Sequence, residues 1–150
     1  MALFDVISED IKKAMIAKDK VALEALRGVK KEFLEAKTAK GASGDLADDA
    51  ALKILQKMVK QRKESAQIFT EQNRPELAEN ELAEAAVIEK YLPAKLSDAE
   101  LEAEIKAIIA EVGAKTAQEM GKVMGVATKK LAGKADGKDI SAKVKALLNS

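Results

Sequence analysis

Cysteine and histidine are both absent from this sequence of 150 residues. Without cysteine there can be no disulfide, no thiol nucleophile and no thiolate metal site, a composition that fits a reducing compartment. Without histidine the commonest general base and the commonest transition-metal ligand are missing, so neither a Ser–His nor a Cys–His arrangement can form. Carboxylates remain as acids or Mg²⁺ ligands, so catalysis is disfavoured without being excluded. Tryptophan is also missing and aromatics make up only 3%; base stacking has little to work with, and sequence-specific reading of single strands is not expected. No apolar run approaches the roughly 18–20 residues that span a bilayer. The start, Met1-Ala2-Leu3-Phe4-Asp5, has no basic region followed by an apolar stretch, so no signal peptide is read. The expectation is a cytoplasmic protein with no membrane partner, no cofactor and no metal.

The chain is 47% hydrophobic and 34% charged. An interior of Ala, Leu, Ile, Val and Met suits helix packing, because most of these side chains lose little freedom in a helix. Hydrophobic spacing predicts an all-α protein of seven helical segments, with no strand. They span about 3–18 (Val6, Ile7, Ile11 and Met15 inward), 20–39 (Leu23, Leu26, Val29, Phe33, Leu34) and 48–72 (Leu52, Leu55, Met58, Val59, the stem of Arg62, Ala66, Phe69). They continue over about 75–91, 98–112, 117–131 and 140–148. Gly28 inside the second costs about 1 kcal/mol against alanine, which a close helix neighbour would explain. Lys40-Gly41-Ala42-Ser43-Gly44-Asp45 reads as a flexible loop. Leu92-Pro93 divides the chain into an N-terminal helical bundle, 1–93, and a small three-helix tail domain, 94–150. Ser97-Asp98-Ala99-Glu100 and Thr116-Ala117-Gln118-Glu119 have the form of capping boxes, and Gly133-Lys134-Ala135-Asp136-Gly137 is turn-rich.

Net charge is +1, but it is unevenly spread. Residues 94–112 carry two lysines against five carboxylates, and residues 113–150 carry eight lysines against three. In the sixth segment Lys122, Gly125 and Lys129 recur at i, i+3 and i+7 and share a face opposite Met120, Val123, Met124, Ala127 and Leu131. Gly121, Gly125 and Thr128 form an adjoining row without bulk. Two glycines within one helix cost roughly 2 kcal/mol, so a thin surface is required there. Either another helix approaches closely, or a phosphate backbone does and the lysines neutralise it. Lys129, Lys130, Lys134 and Lys138 around Gly133 and Gly137 extend the basic surface. The pattern is neither a P-loop nor a dinucleotide fingerprint. Lys53, Lys57 and Lys60, running into Gln61, Arg62 and Lys63, read as a solvated face with a second anion strip as the alternative. Glu76, Glu79, Glu81, Glu84 and Glu89 read as an ordinary charged helix face.

Lys60-Gln61-Arg62-Lys63-Glu64-Ser65, Arg74-Pro75-Glu76-Leu77-Ala78-Glu79, Glu89-Lys90-Tyr91-Leu92-Pro93, Met120-Gly121-Lys122-Val123-Met124 and Gly133-Lys134-Ala135-Asp136-Gly137-Lys138 occur in this order. Together they resemble a YqeY-type protein over nearly the whole chain. The tail of that family is similar to the tail domain of the B subunit of the glutamine-dependent tRNA amidotransferase, an enzyme that converts mischarged Glu-tRNA(Gln) or Asp-tRNA(Asn). The resemblance implies a tRNA-binding-like tail whose motif falls on Gly121, Lys122, Gly125, Gly133, Asp136, Gly137 and Lys138. Its implied partners are tRNA, and aminoacyl-tRNA or the amidotransferase machinery. These 150 residues hold neither a kinase-like nor an amidase portion, so carbon–nitrogen ligase activity with glutamine as donor would belong to the larger enzyme. A helical protein–protein adaptor is the alternative reading.

Overall fold

Ala, Leu, Lys and Glu dominate the sequence and favour helix over strand. The computed structural model describes residues 2–39 and 46–149, and every regular element among them is helical. The order is α1 (Leu3–Ala17), α2 (Lys20–Ala39), α3 (Asp48–Glu71), α4 (Pro75–Glu89), α5 (Asp98–Val112), a 3₁₀ turn (Ala117–Glu119), α6 (Met120–Lys130) and α7 (Gly137–Leu148). The loop read over residues 40–45 lies outside the described residues. Two compact units result, Met1–Leu92 and Pro93–Ser150.

In the first unit α3 and α4 form a hairpin, and α2 packs against both α1 and α4. Its core joins Ile7 of α1, Ala25, Leu26, Val29 and Phe33 of α2, Leu55 and Met58 of α3, and Ala85 and Ile88 of α4. Two residues expected inward are not. Met15 is 53% exposed and Leu34 is 44% exposed. In α1 the buried stripe runs from Ile7 to Ala14, and Met15, one position later, is turned about 100° away from it. Proline stands in the first turn of α4, where its missing N–H costs no intrahelical bond. The turn before it uses Asn73 in the left-handed conformation, φ 61°, which asparagine tolerates better than most residues. Beyond α4, the Tyr91 hydroxyl donates to Asp10 Oδ2 at 2.5 Å, joining residues 81 apart in sequence. Burial, helped by this carboxylate, pushes the phenol well above its ordinary value.

The interior of this unit is not wholly apolar. Glu84, read above as part of a charged face, is buried. Asn80 Nδ2 donates to its Oε2 at 3.1 Å, and Arg62 Nη2 stands 4.0 Å from its Oε1. Burial pushes the Glu84 carboxyl up; Arg62 and the Asn80 hydrogen bond oppose this, while Glu81 and Glu24 reinforce it. Gly28 has the close neighbour that its cost demanded. A Cβ there would lie 3.4 Å from Arg62 Nη2 and 3.7 Å from Met58 Cε.

The second unit encloses Leu101, Ile105, Ile108, Val123, Ala127, Ile140 and Val144. Ser97 Oγ accepts from the Glu100 N–H at 3.1 Å and the Ser97 N–H donates to Glu100 Oε1 at 3.0 Å, so the first capping box forms. The Ser97 hydrogen bonds hold the Glu100 carboxyl below its ordinary value. The second box does not form. Glu119 Oε1 accepts from the Lys115 N–H at 3.1 Å, Thr116 caps nothing with its side chain, and residues 117–119 make a 3₁₀ turn before α6 begins at Met120. Helix α7 starts at Gly137, three residues before the expected Ile140, because its first turn is polar and carries no hydrophobic period.

Two outcomes follow for the first unit. Tyr91→Phe removes a hydrogen bond to a carboxylate and should cost about 1.5–3 kcal/mol in urea unfolding; an unchanged midpoint would show that the bond contributes nothing. The folded Glu84 carboxyl holds its proton more tightly than the unfolded one. Its titration therefore contributes stability fully below the ordinary value of 4.5, and that contribution is lost as pH rises through the raised folded value. Measured against Glu84→Gln across pH, the natural chain should lose relative stability through that window and run parallel to the variant above it. Parallel curves throughout would mean that the carboxyl is unperturbed.

Candidate functional site

Helix α6 is polarised by its sequence. Val123 and Ala127 are fully buried, while Lys122, Gly125 and Lys129 occupy the opposite face and are all exposed, as is Gly121. A Cβ added at Gly121 or Gly125 would meet nothing within 4 Å. Among the described residues no helix packs against this glycine row, so close helix–helix approach does not account for it. Because α6 starts at Met120, Gly121 falls in the first turn, where N–H groups have no intrahelical partner. Gly125 alone carries the full interior cost of about 1 kcal/mol. Thr128, in the same row, donates its hydroxyl to the Met124 carbonyl at 2.8 Å and presents no free donor.

The basic residues around α6 fall into two groups. Among the described residues Lys122, Lys129, Lys134 and Lys138 have no carboxylate within 4 Å of their Nζ atoms, and all four are exposed. Lys130 instead reaches α5, where its Nζ meets Glu111 Oε2 at 2.7 Å. Both of those side chains are half-exposed, so the pair is weak and a stronger anion can compete for the lysine. Lys143 pairs with Asp98 at 2.9 Å and Lys95 with Asp136 at 3.7 Å; the hydrogen bond that the Lys143 ammonium donates to Asp98 holds its pKa above the ordinary value.

Gly133 does not belong to the surface. It is buried and takes φ 78°, a left-handed conformation that glycine adopts without strain. Its role is to turn the chain between α6 and α7. The Lys134 carbonyl accepts from the Leu96 N–H at 2.9 Å, which fastens the segment before α5 onto this turn. Gly137 and Lys138 are exposed at the start of α7, where Asp136 takes the N-cap position and Asp139 lies in the first turn. These two carboxylates counter an anion at that helix end, so the lysines of α6 are the less opposed part of the surface.

Other candidate groups are less convergent. An open cleft of about 370 Å³ lies between α5 and α7, lined by Leu96, Leu101 and Ala142 with Lys95, Asp98, Asp139 and Lys143 around it. Its charges are mixed and Asp98 is held by Lys143. Among the described residues no three carboxylates gather as a metal site. On α3, Lys53, Lys57 and Lys60 are exposed, but the strip stops there. Arg62 turns inward to Glu84 and Lys63 pairs with Glu89 at 2.5 Å. Sequence reasoning missed the Arg62–Glu84 pair. Its one available signal was an arginine on a core face, which requires a counter-charge nearby.

Comparison with known proteins adds identity to this geometry. Proteins named altered inheritance of mitochondria protein 41, mitochondrial, from several fungi are similar to this chain. In Clavispora lusitaniae identity is 34% over 118 residues, covering 77% of this chain and 68% of the relative. In Lachancea thermotolerans it is 32% over 108 residues, covering 71% and 57%. In Pyrenophora tritici-repentis it is 29% over 151 residues, covering 96% and 80%. The chain thus spans little more than half the length of the Lachancea relative. These relatives are named as mitochondrial, which overturns the expectation of a cytoplasmic protein. That expectation rested on absent cysteine and absent long apolar runs, and neither feature distinguishes one reducing compartment from another. The family described as Yqey-like protein matches residues 4–148, and the chain belongs to that family.

Proposed function

We propose that this chain is a non-catalytic tRNA-binding or tRNA-amidotransferase-associated accessory protein whose tail unit grips backbone phosphates. The observation that carries the reading is the exposed face of α6: Lys122 and Lys129, which have no carboxylate within 4 Å among the described residues, flank Gly121 and Gly125, where an added Cβ would meet nothing within 4 Å among those residues. Lysines supply point charges for phosphate, and missing side chains let a backbone come close. Lys134 and Lys138 extend the contact, and Lys130 joins it by exchanging Glu111 for a phosphate. Aromatic side chains are scarce, so the RNA is read by shape and charge, as a folded RNA allows.

A protein–protein adaptor is the second reading. Ile68, Leu77 and Leu82 favour it, being exposed on the α3–α4 hairpin at 50%, 38% and 50%, together with the internal engagement of Lys130 by Glu111.

Two measurements separate the readings. Anisotropy of labelled tRNA across a salt series should give binding that weakens steeply with salt, and Lys122→Gln with Lys129→Gln should reduce the slope by roughly two. An unchanged slope removes these residues from the interface, and no binding at low salt favours the adaptor. Gly125→Ala should stabilise the second unit by about 1 kcal/mol, since the added methyl meets no neighbour and alanine prefers helix. The same variant should weaken tRNA binding. Stabilisation with undiminished binding would show that the thin surface serves no RNA.

A further inference from the structure

Ile16 is the most exposed large hydrophobic side chain among the described residues, at 83%, and its neighbour Met15 is 53% exposed. Both lie at the end of α1, beside the two-residue connection Lys18-Asp19 into α2. Lys18 closes α1 in the left-handed conformation, its N–H directed at the carbonyls of Ala14 and Met15. Over residues 12–20 four lysines, Lys12, Lys13, Lys18 and Lys20, stand against the single carboxylate of Asp19, and all four are exposed. Asp19 Oδ1 is occupied in accepting the Ala22 N–H at 3.1 Å. Of the four lysines only Lys13 has a carboxylate nearby among the described residues, Asp10 at 3.8 Å, and its side chain remains 77% exposed. The tip of the α1–α2 hairpin therefore presents an exposed apolar pair near Lys12, Lys18 and Lys20, which have no carboxylate within 4 Å among the described residues.

We propose that this tip is a peripheral anchor for an anionic lipid surface. Met15 and Ile16 enter the boundary between headgroups and acyl chains, and Lys12, Lys18 and Lys20 meet the headgroup phosphates. The charge is complementary to an anionic leaflet. The apolar area is that of two side chains, a small part of the roughly 800 Å² per partner that a stable protein interface buries. A lipid surface needs no such area, because it adapts to a convex tip and supplies anions on every side. The expectation of no membrane partner rested on the lack of a spanning run, and among the described residues no helix is long and apolar enough to cross a membrane; a surface anchor needs none.

Sedimentation of the full chain with vesicles tests the proposal, using phosphatidylcholine alone and equal parts phosphatidylcholine and phosphatidylserine. The chain should bind the mixed vesicles and leave the neutral ones. Met15→Ser with Ile16→Ser should weaken binding about tenfold or more, and Lys12→Gln, Lys18→Gln and Lys20→Gln together about a hundredfold. All five positions are exposed, and circular dichroism checks that the helices persist. No sedimentation at low salt overturns the proposal and leaves the tip to a protein. Binding that survives both sets of changes but is lost with Lys122→Gln and Lys129→Gln also overturns it, because the tail would then be the lipid contact.

Discussion

The buried carboxylate of Glu84 faces the largely buried guanidinium of Arg62, and three helices must hold their places for them to meet. Helix α4 brings Glu84 with Asn80 beside it, α3 brings Arg62, and α2 gives way at Gly28. Such a pair contributes little net stability, because desolvating both ions offsets their attraction; leaving either alone in the interior costs about 3–5 kcal/mol. The Arg62 Nε, buried without a hydrogen-bond partner, shows how narrow the margin is. A one-residue slip of α4 against α3 would rotate Glu84 by about 100° and strand the guanidinium. The pair thus disfavours any register that would part Glu84 from Arg62. The bond from Tyr91 to Asp10 acts in the same sense, tying the chain just beyond α4 to α1.

The second unit settles its register by other means. Its core is made of Leu, Ile, Val and Ala, and among the described residues no charged residue of this unit is buried. Helix ends do the specifying: the reciprocal Ser97–Glu100 bonds start α5, Gly113 at φ 71° ends it, and Gly133 at φ 78° turns the chain toward α7. None of these devices uses Lys122 or Lys129. A surface free of structural duty can carry charge of one sign at small cost to stability, since exposed like charges are screened over roughly a Debye length of 8–10 Å.

The periodic part of this fold was legible in the sequence. Apolar residues at helical spacing located all seven helices, and proline and glycine marked where α4, α5 and the α6–α7 turn begin or end. The failures share a cause, which is that a linear pattern contains no neighbours. Thr116-Ala117-Gln118-Glu119 has the form of a capping box, yet Glu119 found the Lys115 N–H first. Met15 and Leu34 fit a hydrophobic stripe, but both are exposed. Glu84 looks like any glutamate of an acidic helix, and only the packing of α2, α3 and α4 makes it a buried ion. Within the candidate site the exposed face of α6 followed from a 3.6-residue period. The inward turn of Gly133 and the capture of Lys130 by Glu111 depended on where α5 and the following turn lie in space.

On the two readings proposed above, both lysine-bearing surfaces would take anions, but not the same anions. On α6 the lysines flank glycines, so the surface offers charge and close approach without apolar contact. An RNA backbone would suit it, because phosphates lie on the outside of the duplex and nothing greasy need be covered. At the α1–α2 tip the lysines lie near Met15 and Ile16. An RNA backbone would leave these side chains in water, whereas an anionic leaflet neutralises the lysines and buries the apolar pair beneath them. Salt separates the two cases physically: screening weakens a purely electrostatic contact throughout, while the apolar part of the tip's contact persists when the charges are screened. The residues interleaved with the lysines, and not the lysines themselves, therefore decide which polyanion each surface prefers.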